Sequence, residues 1–392
     1  MVGSSTLALM ALLIVSASYI SGNVEDIAGG DSFAVILTSS KDVFIMEKYT
    51  SVDLLSIAPE KGDIIVSQGH IFIVSNSGLY AFNESDMGFN KVLSGNVSAN
   101  KYYAVCDGKL YRMPSLEFLG EFDRVLMRDS MALGTLNSTA SLYVNGSLVL
   151  LINLSWYNIS ALKLVDFLYT KDGLAFVEDY RNIIFLLNNS GNVVVSEIKY
   201  LVPRVVKILF FNESVAYILI RSKAIGEGVS RYIIAVYSFK SKIFVKYIFS
   251  YSVYFPYAFL GLNLVNVLTG ETVFTNVLSV LDYSNGRILL VLRNNTLVLM
   301  NIESGSKMYS TALRGVPYLG TIVGNRSAVL VVRVVKNYSY AYMVEFSRGS
   351  PSAGFTPKPQ EKGFGIPPLS IIFAIIFYAT IVIIAVLALR RR

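Results

Sequence analysis

Residues 63–83 read DIIVSQGHIFIVSNSGLYAFN, and this stretch decides the fold class. Three short runs rich in Ile, Val, Phe and Tyr are separated by Gln-Gly and by Asn-Ser-Gly. Such runs, bounded by glycine-containing turns, are typical of antiparallel strands joined by hairpins. The same arrangement recurs from Asp31 to Phe346, and no segment in that range shows a sustained helical period with caps. The sequence therefore predicts an all-β domain with little helix.

The strands that follow the turns recur at a roughly constant interval. One apolar anchor per repeat can be aligned along the chain, with spacings that average about 37 residues. The anchors are Ile45, Tyr80, Tyr111, Val149, Phe185, Ile234, Val265, Val298 and Met343. A β unit that recurs about every 40 residues indicates the four-stranded blade of a β-propeller. Nine anchors overcount if some hairpins share a blade, so we expect about seven blades, with six or eight as alternatives. An irregular β-sandwich stack or a β-solenoid is the other possible architecture.

Three segments resemble a known repeat. Residues 295–310 (NTLVLMNIESGSKMYS), 263–274 (NLVNVLTGETVF) and 108–113 (GKLYRM) are similar to the repeat of PQQ-like and WD40/YVTN-like β-propellers, which ends a blade with a strand, a Thr-Gly turn and another strand. The Trp expected after the turn is Tyr309 here, and there is no Gly-His…Trp-Asp pair. The resemblance implies a propeller fold and no particular activity, because propellers support many functions.

The C-terminal segment predicts membrane attachment. Residues 369–389, from Leu369 to Leu389, contain no charged residue and would form about 31 Å of helix, enough to cross a hydrocarbon core of about 30 Å. Arg390, Arg391 and Arg392 follow and favour the cytoplasmic side. Residues 348–368 hold five of the ten prolines and predict an extended stalk. A buried helix and a packed loop are the respective alternatives.

The N-terminal segment predicts export. Thr6–Ile20 is a short apolar run that ends in small residues, which fits a signal peptide over residues 1–22, cut after Ser18 or near Gly22. No Lys or Arg precedes the run, so a retained N-terminal anchor is the alternative. We expect residues 23–347 to form an extracellular domain, with the C-terminus cytoplasmic in a single-pass cell-membrane protein.

Asparagines in the acceptor pattern Asn-x-Ser/Thr are abundant in the predicted extracellular domain. Eleven occur, where chance would give roughly three or four. They are Asn83, Asn96, Asn137, Asn145, Asn153, Asn158, Asn188, Asn212, Asn294, Asn325 and Asn337. The excess predicts an N-glycosylated protein, and an archaeal host is the preferred context. The alternative is that these residues simply belong to the turns of a β protein.

Composition excludes several kinds of site. One cysteine (Cys106) and one histidine (His70) leave no disulfide and no multi-histidine zinc site within the chain. The net charge of +7 is dispersed, which argues against nucleic acid as a partner. We predict a buried, inert thiol at Cys106 and a strand-end or turn position for His70. The sequence predicts no catalytic, cofactor-binding or metal-binding residue.

Two regions could still carry chemistry. The charged residues near Glu178–Arg181, with Asp166, Lys171 and Asp172, are predicted to lie in solvated turns. The Tyr-rich run from Tyr247 to Tyr257 could form a sugar-stacking platform, although core or cross-strand packing is the commoner role of such residues. The leading hypothesis is a propeller that binds a protein or glycan of the cell envelope without catalysis. The alternatives are an extracellular hydrolase or oxidoreductase, supported if charged side chains converge on the propeller axis, and a structural component of an envelope lattice or membrane complex. The sequence does not predict the oligomeric state.

Overall fold

The described part of the protein is almost entirely β-structure. The structure, a computed structural model, describes residues 14–47, 52–189, 192–199, 205–221, 232–284, 286–313, 315–335 and 338–346. Within these ranges the chain forms thirty-six strands and two short 3₁₀ helices. The predicted low helix content is confirmed for these ranges.

The strands are arranged in nine four-stranded antiparallel sheets, here called blades 1 to 9 in chain order. Blade 1 contains β2 (Val24–Gly29), β3 (Phe33–Thr38), β4 (Asp42–Glu47) and β5 (Val52–Ile57). Blade 2 contains β6 (Gly62–Ser67), β7 (His70–Ser75), β8 (Gly78–Asn83) and β9 (Gly88–Ser94). Blade 3 contains β10 (Val97–Ala99), β11 (Tyr103–Cys106), β12 (Lys109–Arg112) and β13 (Glu117–Glu121). Blade 4 contains β14 (Arg124–Arg128), β15 (Met131–Leu136), β16 (Thr139–Val144) and β17 (Ser147–Asn153). Blade 5 contains β18 (Leu164–Thr170), β19 (Gly173–Glu178), β20 (Asn182–Asn189) and β21 (Asn192–Lys199). Blade 6 contains β22 (Val205–Phe211), β23 (Val215–Arg221), β24 (Tyr232–Ser238) and β25 (Ile243–Ser250). Blade 7 contains β26 (Val253–Tyr254), β27 (Tyr257–Leu260), β28 (Asn263–Asn266) and β29 (Thr272–Phe274). Blade 8 contains β30 (Val277–Ser284), β31 (Arg287–Leu292), β32 (Thr296–Asn301) and β33 (Lys307–Ala312). Blade 9 contains β34 (Leu319–Val323), β35 (Ser327–Val335), β36 (Tyr338–Glu345) and β1 (Ile14–Ser21). The 3₁₀ helices, Leu154–Tyr157 and Ala161–Lys163, connect blades 4 and 5.

The ninth blade joins the two ends of the domain. Its strand order is β1-β36-β35-β34, so the first strand of the chain is the outermost strand of the last blade. β1 pairs antiparallel with β36, from Ile14 opposite Val344 to Ser21 opposite Tyr338. The innermost strands of blades 9 and 1 are also in contact, which closes the ring. The fold is a β-propeller, as the repeat predicts.

The hydrophobic core is divided among the blade interfaces. The buried residues form nine clusters, and each cluster joins two neighbouring blades. A blade packs on both faces, so consecutive residues of its inner strands are buried, as Ala34, Val35, Ile36 and Leu37 are in β3. A single blade cannot bury both of its faces, and stability therefore depends on the closed ring.

The predicted blade count of about seven is wrong, as are the alternatives of six and eight. Nine blades are present in the described ranges, and eight of the nine sequence anchors lie in the third strand of successive blades. The ninth anchor, Val149, lies in the fourth strand of blade 4. The count was too low because some blades are short: all of blade 7 fits between Val253 and Phe274.

The hairpin turns have the geometry that their residues predict. Asn145 and Gly146, between β16 and β17, have φ of 52° and 83°. Asp107 and Gly108, between β11 and β12, have φ of 49° and 83°. Two successive positive φ values match the twist of a two-residue hairpin, which explains the Asn-Gly and Asp-Gly pairs.

Several predicted segments lie wholly or partly outside the described residues. The stalk over 348–368, the span over 369–389 and the arginines at 390–392 are all outside. None of the helices in the described ranges is long and apolar enough to cross a membrane. The predicted signal peptide, residues 1–22, is described only from residue 14, where its last part forms β1.

Candidate functional site

Three aspartates on innermost strands connect one blade to the next. Each follows a β-bulge, and its Oδ2 accepts a hydrogen bond from a backbone N–H in the innermost strand of the following blade. The pairs are Asp26 with Ile64 (2.8 Å), Asp166 with Ile208 (2.9 Å) and Asp282 with Ile322 (2.8 Å). A bulge turns a side chain away from the regular alternation of the strand. Here the bulges turn carboxylates towards neighbouring blades, where they satisfy backbone donors.

Blades 4 to 6 add a buried ion pair to this connection. Arg128, only 8% exposed, contacts Asp166 with 3.0 Å between Nη1 and Oδ2. Arg128 also donates to the carbonyl oxygens of Phe167 (2.8 Å) and Ile208. Burial is the main influence on both groups: it raises the pKa of Asp166 and lowers the pKa of Arg128, while their mutual attraction opposes both shifts. The guanidinium of this blade 4 residue thereby contacts blades 5 and 6, which indicates a structural role.

Lys207 lies beside this pair on β22. Burial lowers the pKa of its amine, and the positive charge of Arg128 lowers it further. Charged side chains therefore do converge on the inner strands, which was the observation that the enzyme hypothesis required. However, both Nη atoms of Arg128 and both carboxylate oxygens of Asp166 are engaged by protein atoms, so the pair holds neighbouring blades together.

The charged residues near Glu178 differ in their exposure to solvent. Asp179 is exposed and lies 3.5 Å from Lys163, as expected of a solvated turn. Glu178 is buried, and its Oε1 accepts a hydrogen bond of 2.6 Å from the backbone N–H of Ser160. The solvated-turn prediction is wrong for Glu178 and for Asp166, because both carboxylates satisfy backbone donors of neighbouring segments.

The free edge of blade 6 is an exposed apolar surface. β25 is the last strand of its sheet, and five apolar side chains on or next to it are exposed. Their exposed fractions are 58% for Ile243, 55% for Val245, 52% for Tyr247, 57% for Phe249 and 41% for Tyr251. We call these five side chains the β25 surface. Contiguous exposed apolar side chains are typical of interaction sites, whereas isolated ones are not.

A groove and three lysines accompany the β25 surface. The groove, of about 410 Å³, lies between β25 and blade 7 and is lined by Ile248, Leu260, Val265 and Val267 among others. Lys246 lines the groove, and Lys240 and Lys242 are exposed just before β25. The sequence from Tyr232 to Gly270 contains no Asp or Glu. In the described part of the chain none of these three lysines forms an ion pair. The edge of blade 6 is therefore both apolar and positively charged.

The Tyr-rich run is divided between surface and core. Tyr247 and Tyr251 are exposed, Tyr254 is half-buried, and Tyr257 is fully buried with its hydroxyl donating to the Ile302 carbonyl at 2.6 Å. Only the first part of the run is exposed as a sugar-stacking platform would have to be, and the platform stays a prediction there. Its signal in the sequence was IFVKYIF, a strand without the polar alternation that a solvent-facing edge normally has.

A second groove lies between blades 4 and 5, from the outer strand β17 to the end of the inner strand β18. It has a volume of about 390 Å³, and its apolar lining includes Ile152, Tyr169, Leu186 and Val193. Trp156, the only tryptophan of the chain, is 78% exposed at its border. We call this the Trp156 groove. Two acceptor asparagines, Asn153 and Asn188, also line it.

The acceptor asparagines are accessible. Ten of the eleven lie in the described ranges, where all are exposed or half-exposed; Asn337 is outside those ranges. Four accept a hydrogen bond at Oδ1 from the backbone N–H two residues later, namely Asn83, Asn153, Asn212 and Asn294. Three others have positive φ, namely Asn137, Asn145 and Asn158. The turn geometry explains why asparagine is used, and the exposure meets the requirement of glycan attachment, so both interpretations remain open.

The single histidine and cysteine lie where the sequence predicts. His70 is exposed at the first position of β7. Cys106 is buried and unpaired, and burial together with Asp107 raises the pKa of its thiol, which disfavours the reactive thiolate. Within the described residues no group of His, Cys, Asp and Glu side chains is suited to hold a metal ion.

Comparisons with known proteins return similar structures but no family. No protein-family model matches the chain. No curated protein matches its sequence. Similar solved structures include Sqt1 of Saccharomyces cerevisiae, with 8% identity over 85% of this chain and 99% of that one, at a TM-score of 0.37. The WD40 β-propeller domain of Doa1 has 11% identity over 84% and 96%, at 0.32. BamB from Moraxella catarrhalis has 13% identity over 86% and 100%, at 0.33. At such TM-scores these likenesses carry no argument about function, and the propeller assignment stands on the chain's own nine blades.

Proposed function

We propose that this protein is a membrane-anchored, N-glycosylated cell-surface β-propeller that binds a protein partner at the β25 surface. The observation that carries the proposal is the exposed apolar edge of blade 6 with its three lysines. Burying these side chains would be favourable by about 25 cal/mol per Å² of apolar surface, and this free energy is not gained while they are exposed to water. A partner that covers Tyr247 and Phe249 recovers it, and aromatic side chains are favoured at the centres of interfaces.

The chemistry of the edge defines the kind of partner. The outer side of β25 presents backbone groups that a further strand can pair with, as in β-strand addition. Apolar side chains of such a strand would pack on Tyr247 and Phe249. Lys242 and Lys246 favour acidic residues beside them, because this stretch has no carboxylate of its own. We therefore infer an extended protein segment that combines apolar and acidic residues.

Anchoring and export follow from the sequence. The apolar segment at residues 369–389 supplies the membrane span, the segment at 348–368 supplies the stalk, and the acceptor asparagines carry the glycans. The pairing of β1 with β36 favours a mature chain that begins at or before Ile14, since a cut after Ser18 or Gly22 would remove most or all of the closing strand.

Site-specific photo-cross-linking in the producing cells tests the proposal. A photoreactive phenylalanine analogue replaces Phe249, and in a second variant it replaces Phe118 on β13, the free edge of blade 3. The two positions are matched, with exposed fractions of 57% and 55%, but Phe118 lies between Glu117 and Glu121 on a polar edge. We expect a protein adduct from position 249, recovered with the membrane fraction, and none from position 118.

Three results would contradict the proposal. Equal adducts at both positions would indicate non-specific contact, and no adduct at position 249 would leave the β25 surface unoccupied. An adduct made only of glycan would replace the protein partner with a carbohydrate ligand.

A further inference from the structure

We propose that the Trp156 groove is filled by the chain's own N-glycan, attached to Asn153. The inference deepens the proposed function, since it rests on N-glycosylation of the protein. It assigns an occupant to the apolar surface of blades 4 and 5, in the same way that the protein partner is assigned to the surface of blade 6.

The geometry at Asn153 prepares its side chain for this modification. Asn153 ends β17 and caps the first 3₁₀ helix, with Oδ1 accepting hydrogen bonds from the backbone N–H (3.1 Å) and the Oγ (2.6 Å) of Ser155. The cap uses the oxygen alone, so Nδ2 is free to carry a sugar. In the modification a C–N bond forms between Nδ2 and the anomeric carbon of a lipid-phosphate-linked oligosaccharide. The phosphate-bearing lipid is the leaving group, the amide loses one proton, and the cap remains intact.

The groove has the size and lining of a sugar site. Its volume of about 390 Å³ falls in the range of small-ligand pockets, roughly 300–1,000 Å³. Its floor is apolar, with Ile152, Leu174 and Leu186 all buried, and polar groups from Thr170 and Lys171 lie at its edge. Sugars combine apolar ring faces with hydroxyl groups, so they suit a surface of this mixed character.

Trp156 supplies the stacking surface. It lies three residues after Asn153 and is 78% exposed, a costly position for the largest apolar side chain. Leu151, 62% exposed, extends the uncovered surface along β17. A glycan that begins at Asn153 starts at the wall of the groove and covers the indole ring without any further partner.

The sole tryptophan makes the inference directly measurable, because the intrinsic tryptophan emission of the full-length protein arises from Trp156 alone. The test compares wild type with Ser155→Ala. This substitution removes the hydroxyl that the glycosylation pattern Asn-x-Ser/Thr requires, but it keeps Asn153 and the backbone N–H of residue 155 that donates to Asn153. Ser155→Thr keeps the acceptor pattern and is the matched control. Asn137→Gln removes a glycan from a turn that does not line the groove. Site occupancy is measured on intact glycopeptides, and circular dichroism checks the fold.

We expect Ser155→Ala to shift the Trp156 emission to longer wavelength and to increase its quenching by acrylamide. Ser155→Thr and Asn137→Gln should leave both unchanged. Unchanged emission in Ser155→Ala, with Asn153 glycosylated in wild type, would overturn the inference and leave the proposed function standing. So would an unoccupied Asn153 when other sites are glycosylated, or an emission shift that follows Asn188→Gln instead. The absence of glycan at every site would overturn the glycosylation itself.

Discussion

At the scale of single residues, Asp26 and Asp166 make the same backbone hydrogen bond but differ in the charge beside them. Asp166 has Arg128 at 3.0 Å. Asp26 has Asp63 nearby, whose negative charge adds to the effect of burial in raising the pKa of Asp26. The two carboxylates therefore occupy equivalent positions in different blades but have opposite electrostatic surroundings. Replacing each aspartate with asparagine should therefore have opposite effects on the free energy of unfolding.

We predict that Asp166→Asn lowers the free energy of unfolding by about 3 kcal/mol, because it removes the main counter-charge of the buried Arg128 and leaves only the weaker influence of Asp129. Asp26→Asn keeps an acceptor for the Ile64 N–H and removes a buried charge, so at pH 7 it should be neutral or stabilising. A raised folded-state pKa contributes stability that is present below the ordinary value of 3.8 and is lost as the pH rises through the raised value. The advantage of Asp26→Asn should therefore shrink as the pH falls from 7 towards 4.

Denaturant unfolding at several pH values measures both variants. Equal losses for the two at pH 7 would show that Arg128 does not depend on Asp166. A difference between Asp26→Asn and wild type that is constant with pH would contradict the raised pKa of Asp26.

At the scale of the elements, β1 completes the last blade of the ring. It supplies the outer strand of blade 9, and Ile20, which is fully buried, packs in the cluster that joins blades 9 and 1 with Val24, Ala34 and Met343. Without β1, β36 becomes a free edge and this cluster loses a member. The segment that the sequence predicts as the end of a signal peptide is thus also the segment that completes the fold.

Ile20→Ala should cost about 2–4 kcal/mol of stability through lost burial and a cavity. Ile57→Ala, at a residue 64% exposed on β5, is the matched control and should change stability by less than about 0.5 kcal/mol. The mass of the N-terminal peptide of the exported protein should place its first residue at or before Ile14. Equal effects of the two substitutions, or a mature chain that begins after Ser18 or after Gly22, would contradict a structural role of β1.

The strands illustrate what the sequence can predict. Apolar runs and Asn-Gly or Asp-Gly turns are local, so the hairpins, the low helix content and eight of the nine third-strand anchors could be placed correctly. Val149 was placed one strand too late, because SLVLLIN in β17 has the composition of a core strand although it lies at an exposed edge. Whether an apolar strand faces the core or the solvent depends on its position in the sheet, which local sequence does not encode.

The candidate sites were less predictable for the same reason. Arg128 and Asp166 are 38 residues apart, and only the ring brings them together. The β25 surface was visible as a Tyr-rich run, but its exposure follows from being the last strand of blade 6. The lack of acidic residues from Tyr232 to Gly270 was the available signal for a charged edge.

At the scale of the whole molecule, the exposed apolar surface is concentrated on the outer strands of three consecutive blades, 4, 5 and 6. On blades 4 and 5 it adjoins the acceptor asparagines Asn153 and Asn188. On blade 6 the β25 strand carries three nearby lysines and no acceptor asparagine. Glycans would thus cover the exposed apolar surface of blades 4 and 5 and leave that of β25 for a protein partner.

The lysines should set the salt dependence of partner binding. We predict that Lys242→Glu with Lys246→Glu lowers the yield of the adduct formed at position 249, because acidic residues of the partner would then be repelled. Lys307→Glu, at an exposed lysine on the outer strand of blade 8, is the control and should leave the yield unchanged. Raising the ionic strength should lower the wild-type yield, since exposed charges more than about 8 Å apart are screened at 0.15 M salt. A yield that is insensitive to both changes would remove the lysines from the interface.

Hydroxyl-radical footprinting of the full-length protein tests whether a partner covers the β25 surface. Labelling of Tyr247, Phe249 and Tyr251 is compared between native membranes and the purified protein, with Phe118 as the internal reference. We expect these three side chains to be protected in native membranes and to become labelled after purification, while Phe118 is labelled equally in both. Equal labelling of Tyr247 and Phe249 in the two preparations would contradict this expectation.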